Sequence, residues 1–274
     1  MVDREIGLVS AVYTVFEVWN RDLIPEYLML WFKRPEFHRY ARYHSHGSVR
    51  EIFDWEEMCN VELPIPPIEE QQKIVDAYQT IEHRIALKKK INENLEKSLL
   101  AVFKDTFTEK SSSDLIKLSK IINFGNGKAR PIECGNVPVY GGNGILSYTN
   151  NFNNENVVVI GRVGAYCGSI YLEQETCWVS DNAIFAKSKI STEEYFDYFL
   201  FKYLNLFNYH IGTGQQLLTQ EILNNIEIFN PNAATVNWFN KKAKLVFSKI
   251  NLNIKEIRIL KELGTKILTK LLIC

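Results

Sequence analysis

The chain has 274 residues, 46% of them hydrophobic and 12% aromatic, with 32 basic against 32 acidic side chains. That length suits one large domain or two of ordinary size with real cores, and a net charge of zero does not by itself mark a nucleic-acid binder. No apolar run of about eighteen residues is present to span a membrane, and Met1-Val2-Asp3-Arg4-Glu5 lacks the layout of a signal peptide.

Five scattered cysteines (Cys59, Cys134, Cys167, Cys177, Cys274) without a CxxC pair read as reduced thiols, which places the protein in the cytoplasm. The charge is unevenly spread. Residues 1–68 hold seven basic against eleven acidic side chains and 69–110 eight of each. Residues 111–230 hold eight against eleven, and 231–274 nine against two. The basic excess therefore belongs to the last segment.

In chain order, residues 6–19 are rich in β-branched and aromatic side chains and predict a strand. Residues 24–43 carry Leu28, Trp31 and Phe32 at helical spacing, with Pro25 where a helix start tolerates it. Leu63-Pro64-Ile65-Pro66-Pro67 must be extended, since each proline disfavours helix in the residue before it. A long helix is predicted over 69–107, with Glu69 and Glu70 in its dipole-favoured first turn. Its apolar seam runs Ile74, Tyr78, Ile81, Ile85, Leu95, Leu99 and Val102, with Lys88 and Asn92 filling two seam places. Ser111-Ser112-Ser113 reads as a linker. Short apolar runs punctuated by glycine then predict a small twisted sheet, followed by a helix near 192–209 and a final long helix.

Sliding the chain over itself by 165 positions reveals a repeat. Over 47–66 on 212–231, five of twenty positions are identical, Asn60 on Asn225 and Glu62 on Glu227 among them. The same offset carries the first seam onto Phe239, Ala243, Val246, Ile250, Asn253, Ile257, Leu260, Gly264 and Ile267. Seams of seven-residue period predict helices that pair as a coiled coil, through Ile74, Tyr78, Ile81, Ile85, Leu95 and Leu99 on one side and Val246, Ile250, Ile257 and Leu260 on the other. The alternative is two amphipathic helices on separate cores.

No catalytic constellation is expected. Asp181-Asn182 and Glu193-Glu194 have no histidine or acid at a useful spacing, and His38, His44 and His46 lack the ligands to close a metal site. Gly125-Asn126-Gly127-Lys128 lacks the full P-loop spacing. No Asp-Pro-Pro-Tyr or Asn-Pro-Pro-Phe loop is present for a flipped adenine. What remains is Lys128, Arg130, Tyr140, Asn143, Arg162, Tyr166, Gln215 and Gln216, residue types that read base edges. Glycines such as Gly142 let backbone approach phosphate.

Leu63-Pro64-Ile65-Pro66-Pro67-Ile68-Glu69-Glu70-Gln71-Gln72, Pro138 to Gly144, Ile160 to Gly168, Trp178 to Ala183 and Gly212 to Gln216 together resemble the specificity subunit of Type I restriction–modification enzymes. The resemblance covers nearly the whole chain. It implies an α+β fold: target recognition domains of α/β type on small twisted sheets, separated by a pair of long antiparallel coiled-coil spacer helices. The implied domains are an incomplete first recognition domain (1–68), a central spacer (69–110), a complete second recognition domain (111–231) and a terminal spacer (232–274). It also implies a non-enzymatic reader of double-stranded DNA that docks methyltransferase subunits, and in cleaving systems a restriction–motor subunit. S-adenosylmethionine, Mg2+ and ATP would belong to those partners.

A helix over 69–107 would be roughly 58 Å long, enough to hold two DNA contacts more than one turn apart. Ser10 aligns with Ser180, so the first copy is expected to lack counterparts of about 114–170, roughly 56 residues. On that reading it pairs with itself or another specificity fragment to rebuild a reader. The alternatives are a coiled-coil scaffold that reads no DNA, or an inactive gene remnant or recombination cassette.

Overall fold

The computed structural model describes residues 10, 13–47, 51–108, 114–212 and 214–270. The Ser111–Ser113 linker, positions 6–9 and 11–12 of the predicted strand, and positions 48–50 and 213 of the repeat turn lie outside them. The chain divides into two compact units, residues 1–92 with 251–274 and residues 93–250.

In the first unit α1 (Pro25–Phe32) and α2 (Pro35–His44) replace the single helix expected over 24–43. Pro35 causes the break: it forces Arg34 to an extended ψ of 142° and starts a new helix at its own position. A short α3 (Trp55–Cys59) follows, then the long α4 (Ile68–Thr108), within a residue of its predicted bounds. The described part of the predicted strand, 13–19, is irregular and mostly exposed. Strand-forming side chains are not enough without a neighbour to complete the ladder. Among the described residues of this unit the one β pairing is the His46–Ile52 bridge.

Tyr27, Leu30, Val75 and Leu268 form the core of this unit. Gln71 is fully buried on α4 and satisfies three backbone groups at once. Its Oε1 accepts from Ile24 N at 2.8 Å, and its Nε2 donates to Asp22 O at 2.6 Å and Pro66 O at 2.7 Å. The start of α1, where helical N–H groups lack partners, is thereby tied to α4. Further along, Arg84 Nε donates to Glu256 at 2.7 Å and Lys88 Nζ to Asn253 at 3.2 Å, and Gly264 sits against Tyr78 and Ile81. A Cβ at 264 would stand 3.6 Å from the Tyr78 ring. Numbers fall along α4 as they rise along α7 (Ala233–Lys270).

In the second unit β1 (Leu115–Lys117) pairs with β8 (Glu227–Phe229). A six-stranded sheet runs in the order β2 (Ile122–Asn126), β7 (Ala183–Ser188), β5 (Asn154–Gly161), β6 (Ile170–Val179), β3 (Val137–Gly141), β4 (Gly144–Thr149). All its pairings are antiparallel except β3 with β6. Helices α5 (Tyr195–Leu204) and α6 (Gln220–Asn225) complete the unit. From Val157 to Gly161 the central β5 is apolar and buried because both of its faces are covered. Val158 and Ile160 enter the large helix-side core, and Val157 and Val159 the smaller cluster with Tyr140, Cys177 and Val179. The expected helix over 192–209 ends at Asn205, which takes a left-handed φ of 52°, and a 3-10 turn over Leu206–Tyr209 follows.

Phe103, Phe107, Phe196, Phe199 and Phe239 form the aromatic heart of this unit, with ring centroids of Phe103 and Phe239 5.4 Å apart. Here the seam departs from expectation. Val102 is exposed and Phe103 is buried, because a straight helix drifts against a seven-residue repeat. Asn240 performs on α7 the task of Gln71 on α4: its Oδ1 accepts from Phe196 N at 2.8 Å and its Nδ2 donates to Glu193 O at 3.0 Å. The Tyr198 hydroxyl and Lys202 ammonium share the Glu96 carboxylate.

The repeat is visible in three dimensions as well. The bridge Ile211–Leu217 lies 165 positions beyond His46–Ile52, and the start of α6 likewise repeats the start of α3.

Candidate nucleic-acid interface

One end of the six-stranded sheet collects loops from four strands. The β3–β4 hairpin turns through Gly142-Asn143, and Gly144 closes it at a φ of +82° that favours glycine. At the end of β5, Gly161 receives the returning loop, with Gly161 N donating to Ser169 O at 2.9 Å and Gly168 N to Gly161 O at 2.8 Å. A Cβ at Gly161 would stand 2.3 Å from Tyr166 O and 2.4 Å from Ser169 Oγ, so only glycine fits. Ser169 Oγ donates to Gly142 O at 2.5 Å and thereby ties the hairpin turn to the 162–168 loop.

Backbone bonds bring in the remaining pieces. Arg162 N donates to Asn182 O at 3.2 Å, which anchors the turn between β6 and β7. Gly164 N donates to Gln216 O at 2.9 Å and Leu218 N to Arg162 O at 2.8 Å, which seats the 211–217 ribbon. Beyond β2, Gly127 N donates to Ala183 O at 3.1 Å and Lys128 N to Val179 O at 3.0 Å.

The sequence candidates fall into three groups. Lys128, Gly142, Asn143, Arg162, Tyr166, Gln215 and Gln216 are gathered at this sheet end. Lys128, Asn143, Tyr166 and Gln215 have exposed side chains, while Gln216 and Arg162 are half-buried. Arg162 Nε is enclosed and has no hydrogen-bond partner among the described residues. Arg130, between β2 and β3, is exposed but turns to β4, its Nε donating to Ser147 Oγ at 3.1 Å.

Tyr140 departs from the pattern. Its ring is in the smaller core, and its hydroxyl donates to Glu173 at 3.1 Å. Burial first, then the Glu173 charge, drives its pKa far above the usual tyrosine range. It supports the sheet from within, because its place on β3 turns it to the covered face. Ser169 and the Asn182 carbonyl, which organise the loops, carried no sequence signal: any hydroxyl or carbonyl looks alike until its partner is placed.

Exposed amides, a tyrosine and single cations on a rigid sheet end can donate and accept hydrogen bonds at base edges and counter phosphate charge. The described residues hold no group of three His, Cys, Asp or Glu able to bind a metal. No helix among them is long and apolar enough to cross a membrane. The six-stranded sheet is thus a scaffold with a loop-bearing edge.

The chain belongs to the Type I restriction modification DNA specificity domain family, whose model matches residues 7–97 and again 109–263. The two matches fall on the two copies of the repeat. A curated relative, the Type I restriction enzyme MjaIX specificity subunit of Methanocaldococcus jannaschii, is 37% identical over 87 residues, 32% of this chain. That match spans 20% of the relative's own length. Among solved structures, the Type I restriction–modification S subunit from M. genitalium shares the fold at TM-score 0.61 and 19% identity, over 91% of this chain and 73% of that one. The HsdS subunit from Thermoanaerobacter tengcongensis is a weaker likeness, with TM-score 0.42 and 16% identity over 90% of this chain and 69% of that one.

Proposed function

We propose that this chain is the non-catalytic DNA-reading subunit of a Type I restriction–modification assembly, with residues 111–231 as its reading domain. The observation that carries the reading is the convergence of Lys128, Asn143, Arg162, Tyr166 and the 211–217 ribbon on one sheet end, in a member of a DNA specificity family. Residues 69–110 and 232–274 are read as an antiparallel coiled-coil spacer that docks methyltransferase subunits. Its seam is Ile74, Tyr78, Ile81, Ile85, Leu95 and Leu99 against Val246, Ile250, Ile257 and Leu260, all of them buried or half-buried. Residues 1–68 belong to a first recognition domain. Adenine methylation, with S-adenosylmethionine, falls to the partners, and DNA cleavage to a motor subunit where one joins. The work is done in the cytoplasm, on double-stranded DNA.

The test is selection from a duplex library with a randomised centre, using the chain together with cognate methyltransferase subunits. An enriched sequence, methylated at adenine, is expected. Arg162→Ala should weaken binding to it by about ten- to a hundredfold, the value of one base contact, whereas Lys266→Ala on α7 should act weakly and on all sequences alike. Co-purification without any sequence preference would favour a scaffold that reads no DNA, for which the long seams are the supporting observation.

A further inference from the structure

The first unit holds a groove of about 520 Å³ between the end of α1 with α2 and the segment that follows α3, walled by Trp31, Arg34, Phe37 and Tyr40 on one side and Asn60, Val61 and Glu62 on the other. Trp31 Nε1, Arg34 Nη1 and Glu36 Oε2, all buried in its walls, have no hydrogen-bond partner among the described residues. Glu62 and Leu63 belong to no helix or strand and make no backbone hydrogen bond to another described residue.

The repeat says what such a groove receives. At the equivalent place in the second unit, 165 positions on, β8 is paired by β1 in the register Ile116 with Ile228 and Lys117 with Glu227. Leu118 N then donates to Ile226 O at 2.9 Å, and the Leu118 side chain is fully buried in the core that contains Leu223 and Ile226. Lys117 Nζ donates to Asn225 Oδ1 at 2.8 Å. The counterparts of Glu227, Ile226 and Asn225 are Glu62, Val61 and Asn60, and the asparagine and glutamate are identical. No described residue of the first unit takes the place of β1. Its groove therefore keeps Asn60, the counterpart of the lysine-receiving Asn225, and Glu62, the counterpart of the Glu227 that stands opposite Lys117; with Glu36 and Arg34 its lining carries two acidic side chains to one basic.

We infer that this groove is a strand-docking site. Its occupant is an antiparallel strand from another polypeptide, of the pattern apolar–Lys–Leu, adding to Val61–Pro64 as β1 adds to β8. Among the described residues, the strand of this kind, Ile116-Lys117-Leu118, is already engaged by β8. Main-chain bonds would supply affinity, and the leucine and lysine selectivity. Lysine suits the acidic rim and leucine the aromatic floor. The inference rests on the repeat and not on the DNA-reading proposal.

The probe is a labelled peptide of residues 114–122, titrated into the full chain and followed by fluorescence anisotropy. Saturable one-to-one binding is expected, weakened at least about tenfold by Leu118→Asp in the peptide, the order expected for misplacing a charge in an apolar seat. Glu62→Lys in the chain should weaken binding severalfold, and the peptide with Lys117→Glu should restore it. Glu227→Lys, which faces Lys117 in the second unit, should leave the affinity unchanged. Absence of saturation at millimolar peptide, indifference to Leu118→Asp, or failure of the charge swap to restore binding would each overturn the inference. A loss caused by Glu227→Lys would mean that the peptide displaces β1 instead, and would overturn it equally.

Discussion

Lys88 Nζ donates to Asn253 Oδ1 at 3.2 Å, and the two residues stand one repeat, 165 positions, apart. A residue that meets its own counterpart across two antiparallel stretches makes an isologous contact, as on a two-fold axis. Asn253 is almost wholly buried, its Nδ2 donates to Asn92 Oδ1 at 2.7 Å, and Lys88 also pairs with Glu256 at 2.8 Å. Polar groups placed in an otherwise apolar seam give up some stability in return for a single register.

Asn253→Ala should therefore destabilise the chain by about 1–3 kcal/mol, the cost of leaving buried partners unpaired, as read from denaturant midpoints. Asn253→Leu should recover much of that loss while relaxing the register. Cysteines placed at Tyr78 and Gly264 report register through their disulfide yield. If Asn253→Leu leaves that yield unchanged, the amide does not set the alignment.

Ser169→Ala removes the hydroxyl that ties Gly142 O to the Arg162 loop. A loss of about 1 kcal/mol is expected, together with faster amide exchange at 142–144 and 162–168. Gly161→Ala should be worse, since its Cβ would collide with Tyr166 O. Unaltered exchange in Ser169→Ala would show that the two loops are held by other means.

Phe103→Ala opens a cavity among Phe196, Phe199 and Phe239, and should cost about 3–5 kcal/mol. Val102→Ala, one residue earlier and exposed, should stay within about 0.5 kcal/mol. Equal losses in thermal melts would return the seam to Val102.

Asp197 is fully buried beside Glu194, itself bonded by Ser188 N at 2.9 Å. Burial, then the Glu194 charge, holds the Asp197 carboxyl well above its usual range, and burial raises Glu194 too. For a carboxyl raised on folding, the protonated form is favoured in the folded state. Its stabilising contribution is complete below the unfolded value and is lost as pH rises through the folded one. The second unit should therefore lose stability as pH increases from acid through that raised range. Asp197→Asn should flatten the dependence and raise the melting temperature by a few degrees at the upper end, roughly as 1 kcal/mol would. A melt that weakens towards acid in this window instead would reverse the assignment.

Much of the architecture was legible before any coordinates. The repeat located α4 and α7 and the apolar stripe on each, because seven-residue periodicity is a property of one helix and needs no partner to be seen. The break at Pro35 was legible in principle, yet the helical spacing of Leu28, Trp31 and Phe32 was carried past it to residue 43. The sheet's glycine turns were placed as turns, but which of them share an edge depends on strand order, and β2-β7-β5-β6-β3-β4 cannot be read from short apolar runs. Residues 13–19 show the converse. Their strand propensity is real, and with no ladder beside them it yields no strand.

The sequence by itself determined the duplication, the long helices and the family, since these rest on local periodicity and on residues matched in order. Tertiary structure alone decided which candidate faces solvent. Tyr140 and Asn143 are three residues apart on one hairpin, yet one is buried against Glu173 and the other stands exposed at the turn. Tertiary structure also decided that Lys88 meets Asn253, and that Asn60 and Glu62, identical to their counterparts, border a groove where those counterparts hold a strand. Burial and pairing are set by what covers a side chain, and that cover comes from distant sequence.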